Sequence, residues 1–177
     1  GLLGIRGREP TKEERETVSD YKEIIFSGFR TALNRVPKEH AGILVDEEFG
    51  SRVLREAKAQ GLIFAMPVEK SGQDEFDFEY GDKYQKHIED YDPTFVKVLV
   101  RYNSEGDREV NVRQLKRLRT LNEYLRSRKK PLLFELLVPA TKTQIDTLGD
   151  RRRYDVEMRP RLMVSAMGEI QDARVEP

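Results

Sequence analysis

The chain has 177 residues, with 32 basic and 32 acidic side chains, a formal net charge of zero and 36% charged residues. That length fits one domain of ordinary size, and the balanced charge removes any global electrostatic case for binding nucleic acid or an anionic membrane. There is no cysteine, which excludes disulfides, thiolate catalysis and cysteine-ligated metal sites.

An apolar content of 37%, taken alone, leans toward a solvated or disordered chain. The order of residues argues otherwise. Thr11-Lys-Glu-Glu14 is a capping box, in which the threonine side chain accepts from an orphan N–H while Glu14 reaches back. Behind it Val18, Tyr21, Ile25, Phe29 and Ala32 or Leu33 recur at spacings of three and four, predicting a helix that ends near Val36-Pro37. Four short apolar runs follow, beginning at residues 41, 62, 95 and 132. They read Ala41-Gly-Ile-Leu-Val-Asp46, Leu62-Ile-Phe-Ala-Met-Pro67, Phe95-Val-Lys-Val-Leu-Val-Arg101 and Leu132-Leu-Phe-Glu-Leu-Leu-Val138. Each is apolar at nearly every position, which predicts strands buried on both faces, as in a parallel sheet.

Helical patterns fill the intervals. They are expected over about 51–60, 80–91 and 110–128, the last with Leu115, Leu118, Leu121 or Asn122, and Leu125 inward. After the fourth run, 141–148 predicts one short helix and 158–173 another. Every interval between strands exceeds the dozen or so residues that a right-handed crossover needs. The charge therefore coats the outer helix faces. Two parallel α/β architectures fit, an open doubly wound sheet and a (β/α)8 barrel. A full barrel takes about 250 residues, so the pattern by itself favours the open sheet. The longest apolar runs, of about six residues, are far short of the roughly twenty that span a bilayer. Gly1-Leu2-Leu3-Gly4 opens no signal-peptide core, and a soluble, cytoplasmic protein is expected.

In both architectures ligands sit beyond the carboxyl ends of the strands. Lys97 and Glu135 stand out because they are ionisable residues inside apolar strands, where an unpaired charge costs several kcal/mol. Alternation places Lys97, Leu99 and Arg101 on one face, and Glu135 with Leu137 on one face, so the lysine and glutamate can meet across adjacent strands. They form a structural ion pair, or one strand is a sheet edge with its charge in water, or they are a catalytic pair. Lys70, in Glu69-Lys-Ser-Gly72, is placed to hold a phosphate or sits in an ordinary solvated loop. Asp46 is a ligand or base, or merely caps the next helix. His40 and His87 read as surface residues, and Arg151-Arg-Arg153 as a solvated turn. No P-loop, G-x-G-x-x-G, G-x-S-x-G or H-E-x-x-H motif is present.

Four segments carry a resemblance to a known family. Ala41-Gly-Ile-Leu-Val-Asp-Glu-Glu-Phe-Gly50, Pro67-Val-Glu-Lys-Ser-Gly-Gln-Asp-Glu-Phe-Asp-Phe-Glu-Tyr-Gly81, Asp92-Pro-Thr-Phe-Val-Lys-Val-Leu-Val-Arg-Tyr-Asn103 and Phe134-Glu-Leu-Leu-Val-Pro-Ala140 resemble a bacterial domain of myo-inositol catabolism. That domain is often fused to the sugar kinase 5-dehydro-2-deoxygluconokinase and is similar to the class I tagatose-bisphosphate aldolases, which are (β/α)8 barrels. The resemblance covers nearly the whole chain and implies a single, partial TIM-barrel-type domain holding about strands two to five. It implies a Schiff-base aldolase, a lyase cleaving 2-deoxy-5-keto-gluconate 6-phosphate into dihydroxyacetone phosphate and malonate semialdehyde, with no cofactor and no metal. Glu135 is then the proton-transfer carboxylate and Lys97 the lysine lining the same pocket, with Asp46, Glu69, Lys70 and Arg101 binding substrate. The expected Schiff-base lysine belongs to a sixth strand beyond Val175-Glu-Pro177, so the segment alone is expected to be inactive and to self-associate. A non-catalytic domain that binds sugar phosphate and scaffolds an attached sugar kinase is the alternative.

Overall fold

The computed structural model describes residues 8–175. The Gly1-Leu2-Leu3-Gly4 opening and the final Glu176-Pro177 lie outside the described residues. In chain order the elements are α1 (Lys12–Ala32), β1 (Gly42–Leu44), α2 (Glu47–Ala59), β2 (Ile63–Pro67), α3 (Tyr84–Tyr91), β3 (Phe95–Arg101), α4 (Arg108–Ser127), β4 (Leu132–Leu137), α5 (Lys142–Leu148), α6 (Arg151–Arg153) and α7 (Arg159–Asp172), the last two joined by a π-helical turn over Tyr154–Met158. Two compact units emerge, one holding the residues up to Pro67 with His87–Phe95, the other Val68–Lys86 with the residues from Val96 onward.

In the first unit β1 and β2 run parallel, with Gly42 opposite Ile63 and Leu44 opposite Ala65. Helix α2 starts earlier than its periodicity suggests because Asp46 caps it, its side chain accepting from the Phe49 N–H at 2.9 Å. Its inward face is Gly50, Val53, Leu54 and Ala57. At Gly50 a Cβ would lie 2.1 Å from the Val45 side chain, so only glycine fits. Helix α1 opens on the expected capping box, Thr11 accepting from Glu14 N–H and Glu14 from Thr11 N–H. Its inward stripe differs from the expected one. Phe26 is the buried residue, and Tyr21, Ile24 and Ile25 are exposed. Ion pairs between α1 and α2 accompany this rotation: Arg15 with Glu48, Arg30 with Glu56, and Arg52 with Glu23. Arg30 also lies over the Phe26 ring at 5.9 Å.

In the second unit β3 and β4 pair in parallel, from Val96 opposite Leu132 to Arg101 opposite Leu137. Val96, Val98 and Val100 are wholly buried on one face of β3, and alternation puts Lys97, Leu99 and Arg101 on the other. Burial on both faces holds best for β3. It fails for β4, where Leu133 and Leu137 are 43% and 39% exposed, and for β1, where Leu44 is exposed. The reason is geometric: side chains alternate, and an apolar residue on an uncovered face stays in water. Helix α4 buries Leu118, Leu121 and Leu125 as its periodicity predicts, together with Asn111, Gln114 and Asn122. Tyr154 is fully buried and donates to the Val138 carbonyl at 2.9 Å. Tyr102 donates to Glu169 at 2.5 Å, tying the end of β3 to α7.

The chain is thus a mixed α/β protein whose strands alternate with helices and pair in parallel, compatible with part of an α/β barrel. Among the described residues no helix is long and apolar enough to cross a membrane.

Candidate active site

Lys97 is positioned by its strand. The flanking valines lock β3 through their burial, and the two-residue period turns Lys97 to the opposite face. Beyond Pro67 the chain runs alongside β3, the Val68 N–H donating to the Lys97 carbonyl at 3.1 Å. It then folds back on itself. Glu69 bridges Phe78 in antiparallel fashion, the Lys70 N–H donates to the Asp77 carbonyl and the Glu79 N–H to the Val68 carbonyl. This hairpin-like loop sets Glu69 beside Lys97. On β4, Glu135 pairs with Leu99 in register, two positions beyond Leu133, the residue opposite Lys97, and so on the same face.

The outcome is a lysine held between two carboxylates. Lys97 Nζ lies 2.6 Å from Glu69 Oε1 and 3.1 Å from Glu135 Oε2. Their side chains are 8%, 12% and 49% exposed in the order Lys97, Glu69, Glu135, so one carboxylate is desolvated and the other wet. Burial pushes the Glu69 carboxyl above its ordinary value, the Lys97 hydrogen bond pulls it down, and the negative charge of Glu135 adds to the rise. Glu69 Oε2 is buried without a hydrogen-bond partner, which disfavours a full negative charge there. A buried carboxyl whose proton affinity burial raises and a half-exposed one, joined through one ammonium, make an arrangement fit for proton transfer.

The loop bearing Glu69 is clamped from α4. Glu75 accepts from Arg113 at 2.8 and 3.0 Å and pairs with Arg117, which hold its carboxyl down to about 2. Gln114 is wholly buried. Its Oε1 accepts from the Phe76 N–H at 2.8 Å and its Nε2 donates to the Arg101 carbonyl at 3.0 Å. At the end of β3, Asn103 donates to the Pro139 carbonyl and to Gln144, and accepts from the Glu105 N–H. Gln144 in turn donates to Glu105, which Arg161 also holds. These amides were not singled out by sequence reasoning. The available signal was helical phase: Gln114 lies four residues before Leu118 on the same buried stripe.

The structure thus brings together Lys97, Glu69 and Glu135. A cleft of about 130 Å³ in the same unit is lined by Glu69, Lys70, Leu99 and Arg101, among others. Asp46 belongs to the other unit, where its carboxylate caps α2 and pairs with Lys22. His40 is exposed, whereas His87, expected at the surface, is partly buried and lies 2.8 Å from Glu47. In the arginine run Asp150 caps α6 and Arg153 pairs with Glu157 at 2.7 Å. Among the described residues no three His, Asp or Glu side chains gather as metal ligands do.

Fold and site define an α/β protein with a strand-borne lysine clasped by one buried and one exposed carboxylate. By its sequence the chain belongs to a bacterial family, described as "Uncharacterized protein conserved in bacteria (DUF2090)", whose model matches residues 8–162. No curated protein matches it.

Proposed function

We propose that this chain forms part of a (β/α)8-barrel carbohydrate-phosphate aldolase of myo-inositol catabolism, acting in the cytoplasm on 2-deoxy-5-keto-gluconate 6-phosphate. The observation that carries the reading is the Glu69–Lys97–Glu135 arrangement. Schiff-base cleavage needs a base to take the hydroxyl proton from the carbon that becomes the aldehyde. The electrons of the breaking carbon–carbon bond pass into the iminium, and the resulting enamine carbon must then be protonated before water releases dihydroxyacetone phosphate.

Glu135, half in solvent, is the base that reaches substrate. Lys97 steadies the developing anionic oxygen and links Glu135 to Glu69. Glu135 returns the proton it took from the hydroxyl to the enamine carbon, and Glu69, buried on the same ammonium, keeps Lys97 in place. In this reading Lys97 orients and stabilises charge, and the amine that condenses with the ketone lies on another strand.

The test is borohydride trapping of the full-length protein with dihydroxyacetone phosphate, followed by mass mapping of the adduct. A single reduced adduct on a lysine other than Lys97 is expected. An adduct on Lys97 would reassign the nucleophile, and the absence of any adduct would favour the sugar-phosphate-binding scaffold instead.

A further inference from the structure

The cleft of about 130 Å³ runs from Glu69 past Leu99 to Arg101. Its ionised side chains are unequally matched. Glu75 is taken by Arg113 and Arg117, and Glu69 by Lys97. Lys70 and Arg101 form no ion pair among the described residues, and unlike Arg108, Arg151, Arg152 and Arg174, which form none either, they line this cleft.

Arg101 is nevertheless held in place. Its Nη1 donates to the Gln73 carbonyl at 2.8 Å, and its own carbonyl is fixed by Gln114. That one side-chain bond leaves most of its five donors without a partner among the described residues. The cleft's own carboxylates, Glu69 and Glu75, already have cations, while Asp74 shares a neighbouring cavity with Arg101 and forms no ion pair to it. A guanidinium fixed through one nitrogen in such a cleft presents a planar fork suited to a carboxylate or phosphate. Gly72, at φ +74°, turns the loop that carries both Lys70 and Gln73.

We propose that Arg101, assisted by Lys70, is the subsite for a terminal oxyanion of the substrate. Four residues of strand separate Arg101 from Lys97, about 13 Å along β3. An anion at Arg101 thus sits toward one end of the strand and Lys97 toward the other, and of the proton-transfer residues it is Glu69 that lines the same cleft. The small volume suits an end group and not a whole sugar. The assignment rests on the aldolase reading only for what lies between these ends.

Isothermal titration calorimetry on the full-length protein, with malonate and inorganic phosphate as separate probes, tests the subsite without reading turnover. Saturable one-to-one binding of at least one probe is expected. Stronger binding of malonate identifies a carboxylate end, and stronger binding of phosphate a phosphate end. Arg101→Gln should weaken the preferred probe tenfold or more, while Arg119→Gln, the same change of charge on an exposed part of α4, should leave it within twofold. Should Arg101→Gln disturb the fold by circular dichroism, Arg101→Lys keeps the charge and should still weaken binding severalfold. Lack of saturable binding, equal weakening by Arg119→Gln, or full affinity in Arg101→Lys would overturn the proposal. A protein that binds the probes and cleaves no sugar phosphate would leave this subsite standing and the aldolase reading fallen.

Discussion

Glu69 and Lys97, 28 positions apart in the chain, form a buried 2.6 Å hydrogen-bonded ion pair, while the second carboxylate on the same ammonium, Glu135, is half in water. This asymmetry separates stability from chemistry. Lys97→Met removes the cation that compensates a desolvated carboxylate, and should destabilise the fold by about 3–5 kcal/mol. Urea denaturation measures it. A loss below about 1 kcal/mol would show that Glu69 is already neutral without its partner.

Glu135→Gln is expected to behave in the opposite way. An exposed ion pair contributes at most about 1 kcal/mol, so the denaturation midpoint should hardly move. Turnover of the full-length protein should fall by roughly two to four orders of magnitude, the usual contribution of a positioned acid or base. Unchanged turnover would remove Glu135 from the proton-transfer role.

The raised carboxyl of Glu69 makes a statement about pH. Between its ordinary value and its raised folded-state value, the folded chain binds more protons there than the unfolded chain. Stability from this residue is therefore full below the ordinary carboxylate range, and is lost as pH rises through that window. Glu69→Gln should flatten this part of the stability–pH curve, measured by denaturation across mildly acidic pH. A curve of identical slope in the variant would show that burial does not perturb Glu69.

Glu75 has the reverse sign. Arg113 and Arg117 hold its carboxyl near 2, so its contribution is present above the ordinary carboxylate range and is lost as pH falls from about 4 toward 2. Glu75→Gln should cost about 1 kcal/mol at neutral pH and very little at pH 2. Because Glu75 anchors the loop carrying Glu69, proteolysis between residues 69 and 78 should quicken in the variant. An unaltered cleavage rate would mean that the loop's other bonds, from Gln114, Arg101 and its own backbone, suffice to hold it.

Gln114→Leu should cost more than its modest size suggests. It would strand the Phe76 N–H and the Arg101 carbonyl together, and each buried group left unpaired costs about 1–3 kcal/mol. Thermal melts of Gln114→Leu and Gln114→Glu would separate lost packing from lost bonding. The glutamate keeps the acceptor for Phe76 and forfeits the donor to Arg101.

Much of this arrangement was legible in the sequence. Alternation along Phe95–Arg101 and Leu132–Leu137 put Lys97 and Glu135 within reach of each other, and they lie 3.1 Å apart. The capping box at Thr11 and the Leu118–Leu121–Leu125 stripe were equally plain, because each depends only on local spacing. What escaped depends on distant parts of the chain. The rotation of α1 depends on its packing partner α2, with which it shares ion pairs that no periodicity encodes, and the open face of β4 on what does not cover it. The intimacy of Glu69 with Lys97 arises from a backbone bond between Val68 and β3, a register that the loop's composition does not specify.

The two faces of β3 have a consequence for how this strand tolerates change. Val96, Val98 and Val100 face one way, Lys97, Leu99 and Arg101 the other, so seven residues carry two independent kinds of constraint with a beat of two. Saturating replacement of the strand should yield two interleaved populations. Variants at the even positions would fail to accumulate as folded protein, and most of those at Leu99 and Arg101 would fold and differ in what they bind. A designer wishing to retune the ligand could therefore work along one side of a single strand while leaving the valines untouched.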